Sequence, residues 1–148
     1  MTRDLPYIDE HSIEVDADRE TVWKALTAKF GESGGAVFAG YARLIGVSPL
    51  SSQGALDEVG STRIGFLVSE VESPRHLELT GAHRFSTYSL TWDVAEVSAG
   101  RSRLSATTRA AFPGLHGRAY KAAVIDSGAH ARITRRMLNS IGRQATRG

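Results

Sequence analysis

A chain of 148 residues, 41% hydrophobic and 23% charged, has the length and make-up of one compact globular domain, so 1–148 reads as a single unit. Eighteen Lys and Arg against sixteen Asp and Glu create no strong field, which removes the usual motive for nucleic-acid binding. With no Cys there is no disulfide, no thiolate nucleophile and no Cys-ligated metal.

The start Met-Thr-Arg-Asp-Leu-Pro has no apolar signal core. No run approaches the roughly 20 apolar residues of a membrane span. A cytoplasmic protein without integral membrane association is expected.

In chain order, Tyr7, Asp9, His11, Ile13 and Val15 alternate with Ile8, Glu10, Ser12 and Glu14, a strand period. Asp18 is placed to cap a helix and Glu20 suits its first turn. Val22, Trp23, Leu26 and Phe30 follow at helical spacing before Gly31 ends it. From Gly31 to Gly60 the pattern fades to one expected strand, Tyr41–Val47, within loop. A strand over Thr62–Val71 and a turn at Glu72–Arg75 come next. Leu77, Leu79, Gly81, His83 and Phe85 alternate along one strand, Tyr88, Leu90, Trp92 and Val94 along another, and Leu104, Ala106, Thr108 and Ala110 along a third. Short turns join them, so they form an antiparallel meander. Beyond the breaker Pro113-Gly114, a helix is expected from about Gly117 to Ile141. Its sheet-facing stripe would be Ile125, Ala129, Ile133, Met137 and Ile141.

Two stretches carry a family resemblance. The junction from Ile13 to Leu26, with Val22-Trp23, resembles the strand-to-helix opening of the START-like superfamily, also called SRPBCC. Leu79 to Ser86, with Tyr88-Ser89-Leu90 and the later Phe112-Pro113-Gly114, is similar to bacterial polyketide-cyclase-like members. The resemblance implies an α+β helix-grip fold: a curved antiparallel sheet of six or seven strands wrapped around a long C-terminal helix, with an internal cavity. It names no activity, because the superfamily hosts transporters, cyclases, hydrolases and ligand sensors.

Against that frame the polar residues sort into candidates. His83 falls on the inner side of its strand, where an imidazole serves as a cavity acid/base or as a core histidine satisfied by its neighbours. Tyr88 would orient a carbonyl or phenol, and Trp92 would form a flat wall or simply core. Asp126 and His130 stand four apart, so a helix would make them neighbours and His130 a further acid/base candidate. Arg63 and Arg109 are expected outside. Arg132, Arg135, Arg136, Arg143 and Arg147 read as a solvated helix face. The five His show no metal spacing, and there is no phosphate-binding loop; neither metal nor cofactor is expected.

The leading functional expectation is binding of a small hydrophobic or aromatic molecule, lipid or polyketide-like. The expected lining is Phe66, His83, Tyr88, Leu90, Trp92, Ala106, Thr108, His116, Ala129 and Ile133. The small inner residues Gly81, Ala106, Thr108 and Ala110 suggest unfilled space. Gly31 to Gly60 and the turn Pro113–Gly117 would gate the entrance. A polyketide cyclase/aromatase using His83 and Tyr88, with His130 as a further candidate, is the enzymatic alternative. A protein-interaction module with a filled core is the third.

Overall fold

A computed structural model describes residues 4–31, 46, 48–49, 53–63 and 65–147. The expected strand Tyr41–Val47 lies almost wholly outside them. The first alternation folds as β1, Tyr7–Val15. Asp18 then opens α1, Arg19–Gly31, its carboxylate accepting from the Thr21 N–H at 2.8 Å. Val22, Trp23, Ala25 and Leu26 form the buried side of this helix.

The expected strand over Thr62–Val71 is two strands, β2, Thr62–Arg63, and β3, Phe66–Glu72. Gly65 between them sits at φ 84°, a left-handed conformation that ends the pleat and suits glycine. Three long strands follow: β4, His76–His83; β5, Ser86–Ser98; and β6, Arg101–Ala111. All pairings are antiparallel, in the order β1-β6-β5-β4-β3-β2. Register shifts at Tyr7/Asp9, Val68/Glu70 and Glu96/Ser98 are bulge-type irregularities that bend and twist strands.

The expected single helix is broken. It comprises α2, Gly114–Lys121, a π-helical stretch, Ala122–Asp126, and α3, Ala129–Arg147. Gly128, at φ 84°, cannot continue a right-handed helix. The Ser127 hydroxyl accepts from the Ala129 N–H at 3.3 Å and donates to the Ala123 carbonyl at 2.6 Å, so Ser127-Gly128 closes one helix and caps the next.

The face that α3 buries also differs from the expected stripe. Thr134, Leu138, Ile141 and Ala145 are buried, whereas Ile133 is 59% exposed. A strict four-residue step turns about 40° too far each time. Ile133 therefore lies about 80° round the helix from Ile141, and only one of them can face the sheet squarely.

The core forms between this buried side of α3, α1 and one half of the inner sheet face. Leu77, Leu79, Trp92, Leu104 and Ala106 are all 0% exposed and pack with Leu138 and Ile141. Leu56 joins them, and Gln53 bridges to Thr62. Part of the expected gate, Gln53–Gly60, is thus anchored to the scaffold, while 32–45 lie outside the described residues.

Candidate functional site

Toward the far ends of β4 and β5 the inner face changes character. His83 ends β4, Phe85 sits in the following turn, Tyr88 lies on β5 and Phe66 begins β3. From the other side α2 contributes Tyr120. Its ring centroid is 4.7 Å from His83 and 5.4 Å from Phe85, and 6.3 Å from Phe112. Tyr88 lies 5.7 Å from His83 and 5.6 Å from Phe66. Six rings thus form one connected cluster in the offset and edge-to-face arrangements that aromatic quadrupoles favour.

Two glycines make this close approach possible. A Cβ on Gly117 would stand 2.6 Å from the Phe112 backbone and 3.1 Å from the Phe85 carbonyl; α2 can therefore lie against the strand ends. A Cβ on Gly81 would meet the Gly65 carbonyl at 1.9 Å and the Tyr88 ring at 2.8 Å. Gly81 does not mark empty space, as its size suggested. The Tyr88 ring fills it.

The chemistry of these groups follows from their partners. Burial pushes the His83 pKa below its ordinary 6.5, which favours the neutral ring. Its Nδ1 accepts from the Phe85 N–H at 3.1 Å, so the proton of that neutral ring is on Nε2. The Tyr88 hydroxyl donates to the Gly65 carbonyl at 2.6 Å, and burial pushes its pKa up to about 12. Its single proton is committed to the backbone. Tyr88 therefore cannot orient a ligand carbonyl in the expected way; toward a ligand it offers a ring face and an acceptor oxygen.

His130 has a carboxylate partner, but not the expected one. The helix break leaves Asp126 exposed on the preceding segment, and the partner is Asp9 of β1. His130 Nε2 lies 3.4 Å from Asp9 Oδ1 and 3.1 Å from Thr108 Oγ1. His11 Nε2 lies 3.1 Å from the other carboxylate oxygen. The β1 register shift places this group, with Asp9 opposite Thr108 on β6 while Tyr7 turns outward under the Arg109 guanidinium. Among the described residues no set of three or more His, Asp or Glu is arranged to hold a metal ion.

The remaining expected residues divide. Trp92 and Ala106 are fully buried in the core, with Leu90 packed against it. Thr108 is buried beside His130. His116 is exposed on the first turn of α2, and Ala129 is half-buried at the start of α3. Ile133 is displaced from the sheet-facing stripe, as above. Arg109 and Arg63 hydrogen-bond to loop carbonyls of Leu5 and Gly54, outside as expected. Tyr120, Asp9 and His11 did not stand out in the sequence. For Tyr120 the available signal was its place three residues after Gly117 on an amphipathic turn. For Asp9 and His11 it was two ionisable groups on the strand side that also carries Ile13 and Val15.

Neither a family model nor a curated protein matches the sequence. Solved structures do match it. A conserved protein from Geobacillus kaustophilus is 16% identical over 93% of this chain and 94% of that one, with a TM-score of 0.59. An aromatase/cyclase from a Streptomyces strain is 17% identical over 94% and 93%, with a TM-score of 0.56. The fold is the helix grip that these structures share. A truncated norcoclaurine synthase from Thalictrum flavum shares this fold at 13% identity, 95% coverage of both chains and a TM-score of 0.58. These identities establish a common fold and leave the chemistry to the residues of this chain. Among the described residues no helix is long and apolar enough to cross a membrane.

Proposed function

We propose that this protein binds a small hydrophobic or aromatic molecule between the inner sheet face and its C-terminal helices, at the end carrying the aromatic cluster. One observation carries the reading. Six rings, Phe66, His83, Phe85, Tyr88, Phe112 and Tyr120, gather where the fully buried core stops. His83, Phe85, Tyr88 and Tyr120 are only partly buried there. Flat apolar walls with a few fixed polar groups are the usual make-up of a small-molecule site.

Native mass spectrometry of the protein purified from its own host tests this directly. The expected result is a non-covalent adduct of small-molecule mass that Tyr120→Ala loses while still melting cooperatively. Absence of any adduct, together with no binding across lipid, flavonoid and polyketide panels, would overturn the proposal.

A cyclase/aromatase role is the second reading, favoured by the likeness to an aromatase/cyclase. Cyclisation asks mainly for orientation and a proton-transfer group. With the Tyr88 proton committed, His83 becomes the group to test. An unchanged product profile in His83→Ala would remove it from such a mechanism.

A further inference from the structure

The Asp9-centred group has no role in the aromatic site described above. Asp9 Oδ1 is inaccessible to solvent and accepts no hydrogen bond of good geometry. A buried carboxylate oxygen without a donor is costly. The nearest N–H it can recruit is His130 Nε2, at 3.4 Å, just as His11 Nε2 serves Oδ2 at 3.1 Å. A proton on Nε2 of each ring would face the carboxylate and satisfy it. In a neutral imidazole the other nitrogen is then an acceptor. No hydrogen bond to Nδ1 of His130 exists among the described residues, and the side chain is 22% exposed.

The place of the His130 ring on the inner face matters. Thr108, beside His130 Nε2, pairs with Leu90 on β5, and the next inward residue of β6, Ala110, pairs with Tyr88. Thr108 is thus the diagonal neighbour of Tyr88, roughly 7–8 Å away on the same face. An aromatic ring of one or two fused cycles, laid against Tyr88 and its neighbours, has a substituent within reach of that distance.

We infer that His130, its tautomer held by Asp9, is a hydroxyl-accepting subsite, and that the ligand is a hydroxylated aromatic or enol which donates its O–H there. The inference rests on the proposed ligand cavity and narrows its occupant. His130 and Thr108 contact the ligand end; Asp9 and His11 are positioning residues. Asp9 selects the tautomer of the neutral ring, and its charge makes the opposite nitrogen a stronger acceptor.

Matched probes separate this inference from the reading beneath it. Equilibrium binding of 2-naphthol and 2-methoxynaphthalene is measured on the full chain. Wild type should prefer the naphthol by about tenfold, the worth of one hydrogen bond to a charge-backed acceptor. His130→Leu and Asp9→Asn should erase the preference while retaining affinity for the methoxy compound. Equal affinities in wild type would overturn the subsite and leave the ligand-binding proposal standing. Binding of neither probe would remove both. Imidazole nitrogen NMR of the wild-type protein at slightly alkaline pH decides independently of any variant's folding: His130 should show an unprotonated Nδ1. The opposite tautomer would overturn the inference.

Discussion

The same three strands treat their inner face in two ways. In one half, Leu77, Leu79, Trp92, Val94 and Leu104 interlock with Leu138 and Ile141 of α3 and are essentially inaccessible. In the other, the alternation continues as Gly81 and His83, Leu90 and Tyr88, Thr108 and Ala110, and the facing helices offer Tyr120 and His130 in place of leucine and isoleucine. Periodicity alone makes both halves inner face. Size and polarity make one a filled aliphatic core and the other a partly exposed aromatic and polar cluster.

The largest effects should therefore fall in the filled half. Leu104→Asp places an unpaired charge at a fully buried position, at a cost of several kcal/mol, and should abolish the cooperative thermal transition. Leu138→Ala leaves a cavity under α3 and should lower stability by about 2–5 kcal/mol in urea unfolding. Tyr120→Ala, by contrast, removes a half-buried ring from the aromatic end and should cost clearly less than Leu138→Ala while abolishing ligand binding. Equal losses at Leu138 and Tyr120 would show that the two halves are one core.

An intermediate effect is expected at Gly81, where the halves meet. Ala in that position drives a methyl into the Gly65 carbonyl and the Tyr88 ring. Backbone on one side and a hydrogen-bonded aromatic on the other leave little room to yield, and overpacking of this kind costs about 1–3 kcal/mol. Gly81→Ala should also break the Tyr88–Gly65 hydrogen bond, so tyrosine absorbance would titrate at lower pH than in wild type. A variant as stable as the parent would mean that Gly65 moves freely, and the cluster would be less rigid than its contacts imply.

The division between legible and illegible follows the range of the interactions. The strand-to-helix opening, the meander and the inner positions of Leu104 and Trp92 are local or period-two patterns, and they were readable. The helix break was readable in principle, since Ser127-Gly128 is a turn dipeptide, but the apolar residues around it masked the signal. A four-residue step counted as a stripe hid the drift that puts Ile133 aside and leaves Thr134 and Leu138 inside. Asp9 with His130 was the least accessible feature. It joins residues 121 positions apart through a register shift in β1 and a restarted helix, and neither partner alone says which way it faces. Tyr88 lies on the face that its alternation with Leu90 and Trp92 indicates. Its committed proton depends on Gly65, which no periodicity connects to it.

The smallest expected effect is also the sharpest comparison of environments, because it uses the same residue type twice. His83 lies among rings, and burial pushes its pKa down. His76 starts the same strand; burial opposes its charge, but Asp93 at 2.7 Å and Glu70 at 3.6 Å outweigh that and hold its pKa above 6.5. The linkage signs are opposite. For His83 the unfolded chain takes up a proton more readily than the folded one, so its contribution is present above pH 6.5 and is lost as pH falls through the lower folded value. For His76 the folded state holds the proton more tightly, so its contribution is present below pH 6.5 and is lost as pH rises through the higher folded value. Both side chains keep solvent contact, and the effects should be modest. Urea unfolding across about pH 5 to 8 should show the acid-side loss reduced in His83→Gln and the alkaline-side loss reduced in His76→Gln. If both variants moved the profile in the same direction, the two ends of β4 would not be the contrasting environments described here.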